Sequence, residues 1–109
     1  MGTETFTCPC CGYPELASRP YRGLEDVIAT RGLDPPYSKH FGDPSYEVCA
    51  CCGFEFGNDD EPGTGSPSTF EEYLREWIAS GCVWFSPEKM PKSWDLGSQL
   101  QSAGIPAGS

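Results

Sequence analysis

CPCCG at residues 8–12 and CACCG at residues 49–53 are near copies, and each places three cysteines in five residues before a glycine. Two C-x-x-C turns can supply four thiolates to one tetrahedral metal ion, since the two intervening residues let both sulfurs of a turn reach it. The glycine that follows can take the positive φ at which the chain curls back. The spacing therefore predicts one structural zinc ion (Zn2+), with these ligands: Cys8, Cys11, Cys49 and Cys52.

Length and composition also favour a metal. The chain has 109 residues, with 13 glycines and 11 prolines, so its core is small and its loops are many. Such domains usually need a disulfide or a metal to hold them together. The seven cysteines are odd in number, two pairs are adjacent, and the N-terminus has no basic or apolar leader. We therefore expect reduced thiols, a metal rather than disulfides, and a cytoplasmic location.

The segments around the cysteines predict short strands. Tyr46, Val48, Phe54 and Phe56 alternate with period two on either side of the second turn, which is typical of a hairpin with one apolar face. The first turn has similar flanks. We predict a small, loop-rich α+β fold, in which a zinc-ribbon-like pair of knuckle hairpins carries one amphipathic helix.

The domain organisation is predicted from the proline- and glycine-rich segments that separate the apolar ones. We expect one domain over residues 1–100, with an insertion between the knuckles at 14–45, an acidic solvated linker at 58–67, a helix at 68–81 and a frayed tail at 101–109. Within the insertion, Leu24, Val27 and Ile28 have helical spacing, and residues 34–45 read as a loop. CVWF at 82–85 predicts a strand, and SWDLGSQL at 93–100 predicts a weak terminal helix.

The helix predicted at 68–81 has the clearest local signals. Ser68 with Glu71, or Thr69 with Glu72, forms a capping box, and Gly81 stops the helix. One apolar stripe runs along it, made of Phe70, Tyr73, Leu74, Trp77 and Ile78. We expect this stripe to pack on the knuckles beside Trp84 and Phe85, because an exposed stripe of this size is unusual in a monomer.

The middle cysteine of each turn leaves three interpretations open. Cys10 and Cys51 are small residues at partly exposed turn positions, or alternate ligands of the metal, or a redox pair that bridges under oxidation. Cys82, between apolar residues, is expected to be a buried small hydrophobe. His40, in a proline- and glycine-rich loop, is expected to be an exposed surface residue.

Charge and motifs exclude several function classes. The net charge is −9, from 16 acidic and 7 basic residues, so no basic face is available for nucleic acid. No apolar run is long enough for a membrane helix. No nucleophile–histidine–acid grouping or phosphate loop occurs, and four thiolates leave zinc no open position for water. We therefore predict a protein that is not an enzyme and binds neither nucleic acid nor membrane.

The motifs CPCCGY, YEVCACCGFEFGNDD and TFEEYLREWIASGCVWF resemble the bacterial cysteine-rich CPCC family over residues 5–100. The family has a similar opening, a second knuckle preceded by Y-E-x-C, an aromatic–acidic stretch and an amphipathic helix. The long 14–45 segment departs from it. The resemblance implies a small, uncharacterised type of metal-binding protein, some members of which are suggested to be immunity proteins against toxins.

Together these features predict an acidic, structural-zinc-binding module whose partner is a protein, with an immunity-type inhibitor as one concrete version. A −9 protein would associate rapidly with a basic toxin. The alternative is a thiol-redox or metal-sensing protein that uses Cys10 and Cys51.

Overall fold

The computed structural model describes residues 4–61 and 67–105 of the chain. Within these ranges the regular elements are short and mostly helical. They are a 3-10 turn at Val27–Thr30, α1 at Ser38–Phe41, α2 at Phe70–Ala79, a 3-10 turn at Pro87–Lys89, and α3 at Leu96–Ala103. The radius of gyration is 13.0 Å, about the value expected for one domain of this length.

The two cysteine turns are built by matching hydrogen bonds. In the first, the Gly12 N–H donates to the Cys8 carbonyl at 2.9 Å, and in the second Gly53 donates to Cys49 at 2.9 Å. An isolated antiparallel bridge flanks each turn, Phe6–Leu16 for the first and Val48–Glu55 for the second. The internal repeat of the sequence is therefore also a repeat of backbone structure.

The described residues contain isolated bridges in place of continuous strands. What the structure shows is a small, loop-rich globule with few helices and little strand. The finer arrangement, a zinc-ribbon-like pair of hairpins, stays a prediction. CVWF at 82–85 is not a strand. Its last residue lies beside the second turn, where the Phe85 N–H donates a hydrogen bond to the Cys51 carbonyl at 3.1 Å.

The helix predicted at 68–81 corresponds to α2, which begins after Thr69. The Thr69 side chain accepts a hydrogen bond from the Glu72 N–H, and the Glu72 carboxylate accepts one from the Thr69 N–H, so the capping box is formed. The chain turns out of the helix at Gly81, whose φ of 106° is unfavourable for other residues.

The apolar stripe of α2 is buried at its centre. Phe70 is 0 % exposed, and Leu74 and Trp77 are 7 % exposed, while Ile78 at the end of the helix is 42 % exposed. Of the two residues expected to pack beside the stripe, Trp84 and Phe85, only the first is buried. Trp84 lies in the core, but Phe85 is 61 % exposed, because the backbone of its segment follows the second turn and alternate side chains face outward.

The segment at 14–45 contributes to the core. Tyr21 and Tyr37 are fully buried, and Tyr37 stacks on Phe70 of α2 with ring centroids 4.1 Å apart. The short helix expected around Leu24 reduces to the single 3-10 turn, and the expected loop at 34–45 contains α1. Long-range packing of the tyrosines, invisible in the local pattern, holds this segment in place.

The acidic stretch at residues 58–61 begins as a structured turn. Asp60 is 0 % exposed, and its carboxylate accepts hydrogen bonds from the Tyr21 hydroxyl at 2.8 Å, the Tyr37 N–H at 2.8 Å and the Gly57 N–H at 2.9 Å. The expected solvated linker at 58–67 is therefore wrong for this residue, because buried donors need an acceptor. Residues 62–66 of that linker lie outside the described ranges.

The terminal helix has the predicted length but lies three residues further along the chain, at Leu96–Ala103 in place of 93–100. Asp95 caps α3 by accepting from the Ser98 N–H, and the helix buries Leu100. Ile105 is 3 % exposed, so the described part of the expected frayed tail at 101–109 packs on the domain. Residues 106–109 lie outside the described ranges.

Candidate metal centre

The two turns bring four thiols together. The Sγ atoms of Cys8, Cys11, Cys49 and Cys52 all lie within 4.8 Å of one another, and no other group of three or more potential metal-binding side chains occurs in residues 4–61 and 67–105. The pairs that cross between the turns are close, at 4.0 Å for Cys8–Cys52 and 3.7 Å for Cys11–Cys49. All four residues are buried, at 0 to 5 % exposure.

These distances fit a tetrahedral ion. With zinc–sulfur bonds of about 2.3 Å, the edge of a regular S4 tetrahedron is about 3.8 Å. A disulfide would need sulfurs at about 2.05 Å, and all seven cysteines are free. The four-sulfur donor set is one that zinc or iron occupies in proteins. The structure therefore assembles a site that could hold one metal ion.

Glycine makes the turns possible. Gly12 and Gly53 have φ of 85° and 83°, at which other residues are strained. A Cβ at Gly12 would also lie 3.0 Å from the carbonyl oxygen of Gln99 and 3.1 Å from the Ala103 side chain, since α3 crosses the first turn closely. The glycines thus permit both the turn and its contact with α3.

Burial disfavours ionisation of these thiols. It raises the pKa of Cys8 to about 11, and it raises the pKa of Cys11 and of Cys52 well above the ordinary value for a thiol. The pKa of Cys49 is instead lowered, because it accepts hydrogen bonds from the other three. A dication among the four sulfurs would displace the shared protons, as metals do when they bind thiols.

The middle cysteines are not at exposed positions. Cys10 and Cys51 are both 0 % exposed, which contradicts the first interpretation of these residues. The Cys10 thiol donates to the Phe70 carbonyl at the start of α2, at 3.6 Å, while the Cys51 sulfur accepts from the Gln99 side-chain amide of α3, at 3.5 Å. The two helices therefore cover the two turns and bury the middle thiols.

The side chains around the site include two that sequence reasoning missed. Gln99 also donates to the Cys11 carbonyl at 2.9 Å and accepts from the Trp94 indole at 2.9 Å, so it joins α3 to both turns. Arg31 donates to the Pro9 carbonyl at 3.2 Å. No motif marks either residue, because each acts through a partner distant in the sequence.

Arg31 brings a cation close to the first turn. Its guanidinium lies 3.6 Å from the Glu71 carboxylate of α2, and both side chains are partly buried, at 19 % and 32 % exposure. The ion pair joins the 14–45 segment to α2. Glu71 therefore balances the charge of Arg31.

His40 and Cys82 are the two remaining candidates from the sequence. His40 is exposed, as expected, and its Nε2 lies 3.0 Å from the Asp34 carbonyl. Cys82 is half-buried, less than expected for a core residue, and takes a positive φ of 54°. Neither residue is among the four grouped thiols.

Among the helices within the described ranges, none has the length and hydropathy needed to span a bilayer.

Comparison with known proteins finds a bacterial protein that is similar in sequence to this chain. The chain is 29 % identical over 112 residues to "Uncharacterized protein YoaQ" of Bacillus subtilis (strain 168), an alignment that covers 93 % of this chain and 80 % of that protein. No model of a protein family matches the chain, and no solved structure matches it. Membership of the CPCC family therefore stays a prediction.

Proposed function

We propose that the protein binds one structural zinc ion through Cys8, Cys11, Cys49 and Cys52. The observation that carries this proposal is the grouping of four buried sulfurs at the separations of a thiolate tetrahedron. Structural zinc contributes on the order of 10 kcal/mol or more to the folding of small domains. In this chain the ion would join the two turns, which no continuous strand in the described ranges connects.

Zinc is proposed over iron because the role is structural and needs no redox chemistry. Elemental analysis of protein purified from a reduced cytosol tests the metal. We expect one zinc per chain, and loss of that zinc in Cys8→Ser and Cys52→Ser. Stoichiometric iron, with the visible absorption of an iron–thiolate site, would contradict the choice of metal.

The site is proposed to be non-catalytic. Four thiolates fill the coordination of zinc, so no position is left for a water molecule or a substrate. We accordingly propose a binding protein and not an enzyme, located in the cytoplasm and acting on neither nucleic acid nor membrane.

We propose that its activity is recognition of a basic protein, of which an immunity-type inhibitor is one version. Two apolar side chains beside the second turn support this, since Val83 is 67 % and Phe85 is 61 % exposed. The whole chain carries a net charge of −9, which would speed association with a cationic protein. Exposed apolar anchors on an acidic protein fit such a partner.

Capture experiments with the zinc-loaded protein test the partner. A basic protein recovered from the native host should be lost with Phe85→Ser and kept with the control Met90→Ser, since Met90 is also exposed, at 46 %. Its association rate should fall as salt is raised. A partner that is acidic, or bound equally by both variants, would contradict the proposed surface.

A further inference from the structure

The two cysteine turns are distant in the sequence and meet in space. Cys11 and Cys49 are 38 positions apart in the chain, yet their sulfurs lie 3.7 Å from each other. A metal ion holds the turns together only while ligands from both turns are bound to it. A side chain that bonds to both turns would hold them together even when a sulfur–metal bond opens.

Gln99 of α3 is such a side chain. Its Nε2 donates to the Cys11 carbonyl at 2.9 Å and to the Cys51 sulfur at 3.5 Å. A primary amide has two N–H donors, so each turn takes one of them. Cys11 is a proposed ligand of the metal, and Cys51 directly precedes the proposed ligand Cys52. The amide therefore bridges the two turns next to the last ligand of each.

The orientation of this amide is fixed from its other end. Its Oε1 accepts from the Trp94 indole N–H at 2.9 Å, and an indole nitrogen can only donate. Rotation of the amide by half a turn would set its N–H groups against that donor and its oxygen against the Cys11 carbonyl. Trp94 packs edge-on against Trp77 and Trp84, with ring centroids 6.1 and 5.4 Å away. The two amide donors are thus held toward the turns.

The backbone of Gln99 is fixed as well. Its carbonyl oxygen lies 3.0 Å from the position of a Cβ at Gly12, so α3 crosses the first turn closely. Leu100 is 2 % exposed and Ile105 is 3 % exposed, and both side chains belong to the core. The amide therefore reaches both turns from a well-supported helix.

We propose that Gln99 is a positioning residue of the metal centre, which slows metal release by holding the two turns together. The inference rests on the proposed zinc function. Metal leaves a four-thiolate site through states in which a sulfur–metal bond is open. While the amide bridges the turns, the detached sulfur stays near the ion at high effective concentration and binds it again. Hydrogen-bonded partners that orient ligands change metal affinity by about 10–100-fold in other proteins.

Transfer of zinc to the coloured chelator 4-(2-pyridylazo)resorcinol, followed over a range of chelator concentrations, tests this role. Gln99→Met removes the three side-chain hydrogen bonds and keeps the length of the side chain and a high helix propensity. The matched control is Gln101→Met, the same replacement at an exposed position of the same helix. The zinc content of each protein is measured beforehand, which tests the four-cysteine site separately.

At low chelator concentration we expect Gln99→Met to release zinc at least about tenfold faster than the wild type, because rebinding is slower. At saturating chelator every opening leads to capture, so the two rates should converge. Gln101→Met should match the wild type throughout. A Gln99→Met rate that equals the wild-type rate overturns the inference. A rate that is faster by the same factor at every concentration also overturns it, since it reports only a loss of stability.

The zinc content separates this inference from the proposed function. If the wild type holds one zinc and either overturning result is found, the role of Gln99 is wrong and the zinc site stands. Wild-type protein without zinc contradicts the site itself. Should Gln99→Met not fold, Gln99→Glu carries the comparison, because its carboxylate still accepts from the Trp94 indole but donates to neither turn. The same acceleration at low chelator concentration is expected of that variant.

Discussion

Replacing Asp60 by alanine tests the account of how the acidic run enters the core. The carboxylate is fully buried and is the acceptor for three donors, from Tyr21, Tyr37 and Gly57, at 2.8 to 2.9 Å. It joins the 14–45 segment to the turn that follows the second pair of ligands. The variant Asp60→Ala removes the acceptor and leaves three buried donors without a partner.

The magnitude follows from that count. A buried donor left unsatisfied costs about 1–3 kcal/mol, so three donors cost at least about 3 kcal/mol. Removing a buried carboxylate also recovers part of its desolvation cost, which keeps the net effect near the lower end. For a domain of this size we expect a fall in melting temperature of at least about 12 °C. Tyr21→Phe, which removes one of the three bonds, should fall between this variant and the wild type.

Thermal unfolding followed by tryptophan fluorescence, with zinc in excess, measures the effect. Asp43→Ala is the matched control, because it also removes one negative charge but from a side chain that is 86 % exposed and lies 3.8 Å from Arg22. Exposed pairs of this kind contribute about 0–1 kcal/mol. If Asp60→Ala melts as Asp43→Ala does, the carboxylate is not the structural acceptor described here.

Three further results are expected. Trp77→Ala should lower the free energy of unfolding by about 3–5 kcal/mol, since Trp77 is 7 % exposed and packs edge-on to Trp94. The control Ile78→Ala, at a half-exposed site, should lower it far less in the same thermal melts. Equal losses of stability in the two variants would contradict the orientation of α2. Burial raises the pKa of Cys8 to about 11, so zinc must displace its proton at neutral pH. Apparent zinc affinity should therefore fall at least about tenfold for each pH unit lowered, measured by competition with a chelator, and a pH-independent affinity would show that the thiols are already ionised. The protein should not shift DNA or RNA in a mobility assay at physiological salt, because seven basic residues among sixteen acidic ones make no phosphate-binding face. A salt-sensitive complex with either nucleic acid would refute this prediction.

The features that the sequence predicts well are those determined locally. The C-x-x-C-G spacing places both sulfurs of a turn on one side, and the structure brings the four thiols together. Thr69 and Glu72 define the start of α2 through bonds three residues apart. Such signals depend on a few neighbouring residues, so they can be recognised without information about the rest of the chain.

The features that the sequence does not predict depend on distant partners. Asp60 belongs to a run that looks like solvated linker, and its burial follows from two tyrosines more than twenty residues away. One interpretation of the sequence makes Cys10 and Cys51 partly exposed turn residues, but α2 and α3 cover both side chains. Neither contact leaves a periodicity in the chain, so local patterns carry no signal for it.

The most direct test of the central claim is the metal itself, measured on protein purified under reducing conditions by elemental analysis and X-ray absorption. We predict one zinc per chain with four sulfur neighbours at about 2.3 Å, and loss of that zinc with unfolding when Cys49 is replaced by serine. A chain that folds fully without metal, or a zinc bound by nitrogen and oxygen ligands, would contradict it.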